Sequence, residues 1–304
     1  MSETIIKARP HTAEGLWFLV LAGALWGTGG LTGSLLARTT GLTSPAVAAY
    51  RLGTGGLLLI AFLLVTRAKF PRGRRAWTRI VIIGLLAAEF QATYFAAVER
   101  ISVSLATLIT IGASPVLVQL VERRRALVTI AIALSGLTLL IGVPEGDRSL
   151  PTMLAGAGFS LLAAGGFATV TLVGSRPVPG LDDLPATGLA FTLGSLVLVP
   201  LATASGGLAF TPTWSGLGLL LLLGVGPTAI AYASYFRGLR TSRPGTAALM
   251  ALLEPLVGTA LAVVILGDRL GPAGWAGAAL LIIALVRESR SPETDRLSRA
   301  AHVT

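Results

Sequence analysis

The stretch ALMALLEPLVGTALAVVILGDRL, residues 248–270, is apolar enough to lie in hydrocarbon, yet it sets Glu254 directly before Pro255 in mid-run. A proline has no N–H, so the helical ladder opens one turn earlier and a carbonyl is left to be satisfied locally. A charged carboxylate facing lipid costs several kcal/mol. Such a segment predicts a membrane-spanning helix whose interrupted part faces the inside of a bundle or a wet cavity. Two roles are open to Glu254: lining that cavity, or tying its helix to a neighbour as a protonated carboxyl.

The rest of the chain extends this reading. Of 304 residues, 53% are hydrophobic and only 12% charged, and the mean hydropathy is +0.79. Recurring apolar runs of about 18 or more residues read as transmembrane helices. Ten can be marked, at 15–37, 45–66, 79–98, 101–121, 126–143, 152–174, 184–204, 214–236, 244–266 and 272–287. The run at 126–143 is barely long enough for a hydrocarbon core about 30 Å thick. The joints are too short for a soluble domain, and the polar start MSETIIKARPHTAEG carries no cleavable signal pattern.

A net charge of +10 could suggest nucleic acid, but its distribution points to a bilayer. With the joints numbered alternately inside and outside, nineteen of the 24 basic residues collect on the side of the N-terminus. The opposite side holds Arg38, Arg100, Arg148 and Arg269, and Arg51 falls inside a run. This predicts two cytoplasmic termini, a multi-pass membrane protein and no nucleic-acid partner. There are no cysteines, and the two histidines, His11 and His302, lie in polar tails. Thiol chemistry, a metal site and a His-based relay inside the membrane are thereby disfavoured. No cofactor and no catalytic residue are expected.

Internal repetition sets the architecture. A shift of 140 residues pairs TSPAVAAYRLGTGGLLL (43–59) with DLPATGLAFTLGSLVLV (183–199), and RISVSLATLITIGASP (100–115) with RTSRPGTAALMALLEP (240–255). Pro45 then meets Pro185, Arg51 meets Phe191, Ser114 meets Glu254 and Pro115 meets Pro255. Units with an odd number of spans must be inverted relative to each other, and interrupted helices at equivalent positions point to a central substrate site. The expected fold is all-α, with ten transmembrane helices as two inverted five-helix repeats, 15–143 and 151–287. Tails at 1–14 and 288–304 flank them.

The stretch GTAALMALLEPLVGTALAVVILGDRLGPAGWAGAALLIIALV (245–286), with ALWGTGG (24–30) and the Arg51-bearing second helix, resembles the EamA-type transporters of the drug/metabolite transporter superfamily. The resemblance covers all ten runs, and among these transporters the chain looks most like amino acid exporters of the YddG type. It implies inverted repeats around a central cavity and export of amino acids and related metabolites. Thirteen positions separate Pro255 from Asp268 but only seven separate Pro115 from Glu122, so the halves cannot be interchangeable in shape. Asp268 reads as a helix cap or loop carboxylate.

Polar and aromatic residues inside the runs nominate the cavity wall. Thr228, Tyr232 and Tyr235 share a helical face below a break at GVGP (224–227). Helix three offers Glu89, Gln91 and Tyr94, with Thr93 nearby; helix four offers Thr107, Thr110 and Ser114; Trp26 and Phe167 add rings. Aromatic walls with a few hydroxyls suit a zwitterion with an apolar side chain. The alternative places the rings in interfacial belts and bonds the hydroxyls to their own helices. Arg51 could snorkel outward or pair with an acid. Glu89 could bind an ammonium, carry a proton or cross-link helices. GTGG at 27–30 and 53–56 suits close helix packing.

The expected activity is alternating-access export of amino acids, aromatic ones included, with the lipid bilayer and a small-molecule substrate as the partners; the oligomeric state is left open, a monomer being plausible. A proton-coupled multidrug exporter is the alternative, but residues 15–37 hold no acid to exchange proton for cation. A nucleotide-sugar or other metabolite carrier is a third class.

Overall fold

The computed structural model describes residues 13–122, 127–142, 149–267 and 269–290. Asp268, both tails and the arginine run 123–125 lie outside the described residues. The described chain is helical throughout: α1 (Ala13–Thr40), α2 (Ser44–Val65), α3 (Arg74–Arg100), α4 (Val103–Glu122), α5 (Leu127–Ile141), α6 (Leu150–Gly174) and α7 (Asp183–Ala204) come first. The second part continues with α8 (Trp214–Gly224), α9 (Ala231–Leu239), α10 (Pro244–Met250), α11 (Leu253–Leu261) and α12 (Pro272–Ser289).

Among the described residues eight stretches are long and apolar enough to cross a membrane; Trp214–Leu239 and Pro244–Ile265 each join two of these helices. The helix α5, with 15 residues, falls short of the roughly 20 that hydrocarbon requires, as the thin run at 126–143 foretells. Their outward faces are apolar: Val65, Leu120, Leu221 and Val264 are all exposed. In water such surface would be a liability, whereas lipid accepts it at no cost.

The interior is built from small residues, because helices in lipid gain by close backbone approach. A Cβ on Gly136 of α5 would lie 2.8 Å from the Leu281 nitrogen of α12, so these two backbones touch. Main pairings are α2 with α7, α3 with α6, and α5 with α12. Around them, α6 also lies against α4, while α1 lies against α9 and α11.

Two of the expected interruptions take a different form. The helix α4 runs through Pro115 unbroken. Beside it the Ser114 hydroxyl lies 2.8 Å from the Thr110 carbonyl and 3.2 Å from the Ala164 carbonyl of α6, which ties α4 to α6. In the second half the helix does stop, at Ala251–Leu252, one turn before Pro255. Glu254 N–H there donates three residues back, to the Ala251 carbonyl at 3.0 Å. The expected break at GVGP is instead a widened π-turn, Val225–Ile230, that joins α8 to α9. Pro227 cannot donate, and the extra residue per turn absorbs the gap.

Candidate functional site

A cavity of about 440 Å³ runs through the middle of the bundle. Its deep end is walled by Trp26, Phe167, Tyr232, Ala251 and Glu254, and it extends toward the α1–α2 and α3–α4 turns, past Ser34, Arg38, Ser44 and Val103. These last four residues are exposed, so the cavity opens at that end. The opposite end is filled: Leu19, Phe236, Leu239 and Leu249 are each almost wholly buried.

Four of the five tryptophans, Trp17, Trp77, Trp214 and Trp275, are exposed near helix ends, where interfacial belts lie. Trp26 is 4% exposed and lies in the wall. Its ring centroid is 5.8 Å from that of Phe167, 4.9 Å from Tyr232 and 4.9 Å from Tyr235. The Trp26 Nε1 is buried with no hydrogen-bond partner among the described residues. Phe90 continues the wall, 6.0 Å from Phe167 and stacked at 6.2 Å on Tyr94. Phe90, Phe95 and Arg38 line the cavity although the sequence reading did not nominate them. The recurrence of rings at 90, 94 and 95 on one helix was the available signal.

The polar wall comes chiefly from α3 and α4. Tyr94 Oη and Thr107 Oγ1 are 2.7 Å apart, and Gln91 and Thr110 lie beside them. Thr110 also donates to the Ser160 carbonyl at 3.2 Å, and Ser114 completes the group. On α2, Arg51 lines the cavity and its Nε donates to Thr228 Oγ1 at 3.2 Å. It neither snorkels free nor forms an ion pair among the described residues.

Three nominated residues stand behind the wall. Thr228 is fully buried in the π-turn, where its hydroxyl donates to the Leu223 carbonyl at 2.7 Å. Tyr235 is also buried, with its Oη 2.6 Å from Thr171 Oγ1. Glu89 is turned toward α6, where a Cβ on Gly166 would collide with its Oε2. Thr93 donates to Glu89 Oε1 at 3.3 Å, while Oε2 is buried without a partner among the described residues. Helical periodicity could not separate these from their neighbours, because a residue one step round a helix already faces a different partner.

At the closed end, sequence reading passed over a polar group that joins α10 to α4 and α12. Gly245 N–H donates to Glu122 Oε2 at 2.8 Å, and Thr246 Oγ1 donates to Glu288 Oε1 at 2.7 Å. Beside α10, Arg240 holds Asp183 by bonds of 2.7 and 2.9 Å, tying the end of α9 to the start of α7. These residues sit at the ends of the apolar runs, where charge is ordinary and carries no signal.

A bundle of membrane-length helices with a deep aromatic and hydroxyl-lined cavity, open at one end and sealed at the other, has the form of a membrane transporter. The EamA-like transporter family model matches residues 13–142 and 154–287, and the chain belongs to that family. It is 27% identical to the uncharacterized transporter YwfM of Bacillus subtilis, over 94% of this chain and 97% of that protein. It is also 25% identical to the threonine/homoserine exporter RhtA of Escherichia coli K12, over 75% of this chain and 76% of that one. A solved crystal structure superposes with a TM-score of 0.77, at 18% identity, covering 91% of this chain and 99% of that chain, which bears on the fold alone.

Proposed function

We propose that this protein exports amino acids and related small metabolites across a bacterial cytoplasmic membrane by alternating access. One observation carries the reading: the central cavity has the size of a small-molecule site, within the range of about 300–1,000 Å³, and combines rings with hydroxyls and a few charges. The similarity to an exporter of threonine and homoserine supports the substrate class. The ring wall favours aromatic substrates among them, in line with the YddG-type resemblance.

Two five-helix repeats, α1–α5 and α6–α12, inverted within ten spans, account for the helix pairing. A two-fold axis in the membrane plane would set α2 on α7 and α5 on α12, and would make α6 against α3 and α4 the counterpart of α1 against α9 and α11. The match of one family model to two stretches agrees with this. The basic residues put both termini in the cytoplasm. On that topology the cavity opens outward and the polar group around α10 closes the cytoplasmic side.

Energy coupling turns on where the acids lie. Residues 15–37 hold none, and Glu14, in the first turn of α1, is exposed and 3.6 Å from Arg237. Glu254 in the cavity wall and Glu89 behind it are the acids left for a proton relay. With so few, facilitated movement down the substrate gradient is the proposed mode. Purified protein in liposomes should take up labelled threonine or phenylalanine saturably with no imposed ion gradient. Uptake of an organic cation only against an opposing pH gradient, with no amino acid transported, would replace this reading with that of a multidrug antiporter.

A further inference from the structure

We infer that Arg51 and Glu254 form the two poles of a zwitterion site, so that the substrate must carry both a free α-carboxylate and a free α-ammonium. The inference rests on the exporter reading above and goes beyond it by assigning the recognition to two residues and excluding singly charged analogues.

Both side chains line the one cavity, and they reach it from different elements. Arg51 comes from α2 and is steadied from behind. Thr228 Oγ1 accepts from Arg51 Nε at 3.2 Å while donating to the Leu223 carbonyl at 2.7 Å. The π-turn makes this possible, because it brings the Thr228 hydroxyl to a carbonyl five residues earlier. The guanidinium is thus held by one nitrogen, leaving its two terminal nitrogens for a carboxylate in the paired geometry that arginine favours. Glu254 comes from the first turn of α11, beyond the interruption at Ala251–Leu252. Among the described residues its carboxylate has neither a hydrogen-bond donor nor a cation within 4.0 Å.

The backbones that carry Glu254 and hold Arg51 both pack on α1. A Cβ on Gly27 would lie 2.9 Å from the Glu254 carbonyl oxygen, and one on Gly29 would lie 3.2 Å from Pro227 Cβ, next to the residue that holds Arg51. Two residues of a helix differ by about 3 Å along the axis and roughly 200° around it. The Glu254 and Thr228 backbones therefore flank α1 on opposite sides at nearly the same level. Tyr94 and Tyr232 line the same cavity as both charges. A zwitterion satisfies the cation and the anion together, while a singly charged ligand leaves one of them facing an uncharged group in a confined space. The rings of Trp26, Phe90 and Phe167 complete the site by accepting the side chain.

Competition in liposomes bearing the full-length protein tests this. Labelled threonine and labelled phenylalanine are the probes, and the competitors are the same amino acids, their N-acetyl derivatives and their amides. In the wild type neither blocked form should compete within about tenfold of its parent, because each lacks one charge that the site is built to bind. Glu254→Gln should improve the N-acetyl derivative relative to the amide, and Arg51→Gln should do the reverse. Blocked analogues that compete as well as their parents in the wild type would overturn the inference without any variant having to fold. So would variants that shift both analogues alike. Failure to transport any amino acid would remove the exporter reading and the inference with it, a result distinct from amino acid transport that is indifferent to blocking.

Discussion

The Tyr94 and Thr107 hydroxyls meet at 2.7 Å, joining α3 to α4 within the wall of the cavity. This bond closes the short α3–α4 hairpin at the level where the substrate is proposed to sit. Removing one hydroxyl forfeits about 1 kcal/mol. Tyr94→Phe should therefore raise KM by about fivefold, leaving the rate at saturation close to wild type. Tyr94→Ala also removes a ring stacked on Phe90, and should cost about 2 kcal/mol or more in transport efficiency. Trp26→Ala should behave like Tyr94→Ala. Equal transport by all three variants, measured as initial rates in liposomes, would remove this wall from the substrate path.

At the sealed end, Glu288 is 4% exposed and accepts from Thr246 Oγ1 at 2.7 Å. Glu288→Gln keeps an acceptor and should leave thermal stability in detergent nearly unchanged. Glu288→Leu strands a buried hydroxyl and should cost about 1–3 kcal/mol. Indistinguishable melting of the two variants would show that the contact does not hold α10 to α12.

The backbone approach of α5 and α12 predicts a sharp contrast between two glycines. A Cβ on Gly277 would overlap the Leu140 nitrogen and the Gly136 oxygen, whereas one on Gly158 meets nothing within 4 Å. Gly277→Val should abolish a monodisperse folded protein, and Gly158→Ala should be neutral. Overpacking costs about 1–3 kcal/mol even where side chains can yield, and backbone yields less. Size-exclusion profiles after solubilisation would decide it, and a normal profile for Gly277→Val would contradict the packing.

Topology is testable because the chain has no native cysteine. Single cysteines at Arg74, in the first turn of α3, and at Arg290, just past α12, should both be shielded from an impermeant reagent added to intact cells. Labelling of either would contradict a cytoplasmic placement of these loops.

Much of the architecture was legible because lipid imposes long apolar runs: among the described residues eight of the ten expected runs fall on stretches long and apolar enough to cross a membrane, while those at 126–143 and 272–287 do not. Run ends moved by a few residues; α3, for instance, begins at Arg74 rather than at 79, since arginines at a membrane surface extend a helix as readily as they end it. The forms of the interruptions were not legible. Pro115 and Pro255 look equivalent in sequence, but α4 continues through Pro115 while the chain before Glu254 turns at Ala251–Leu252. The wall was legible in part: Trp26, Gln91, Tyr94, Thr107, Thr110, Ser114, Phe167, Tyr232 and Glu254 come together, and Arg51 joins them. Glu89, Thr228 and Tyr235 do not, because which side of a helix faces the cavity depends on where its neighbours pack.

The central claim, outward movement of amino acids, is tested most directly in cells that lack their own exporters and are fed a threonine- or phenylalanine-containing dipeptide. Hydrolysis inside the cell loads the cytoplasm with the free amino acid, and its appearance in the medium reports export. The account predicts that cells producing this protein release the amino acid several times faster than cells producing the Trp26→Ala variant at equal membrane abundance. Equal release by the two, with the amino acid retained inside both, would contradict it.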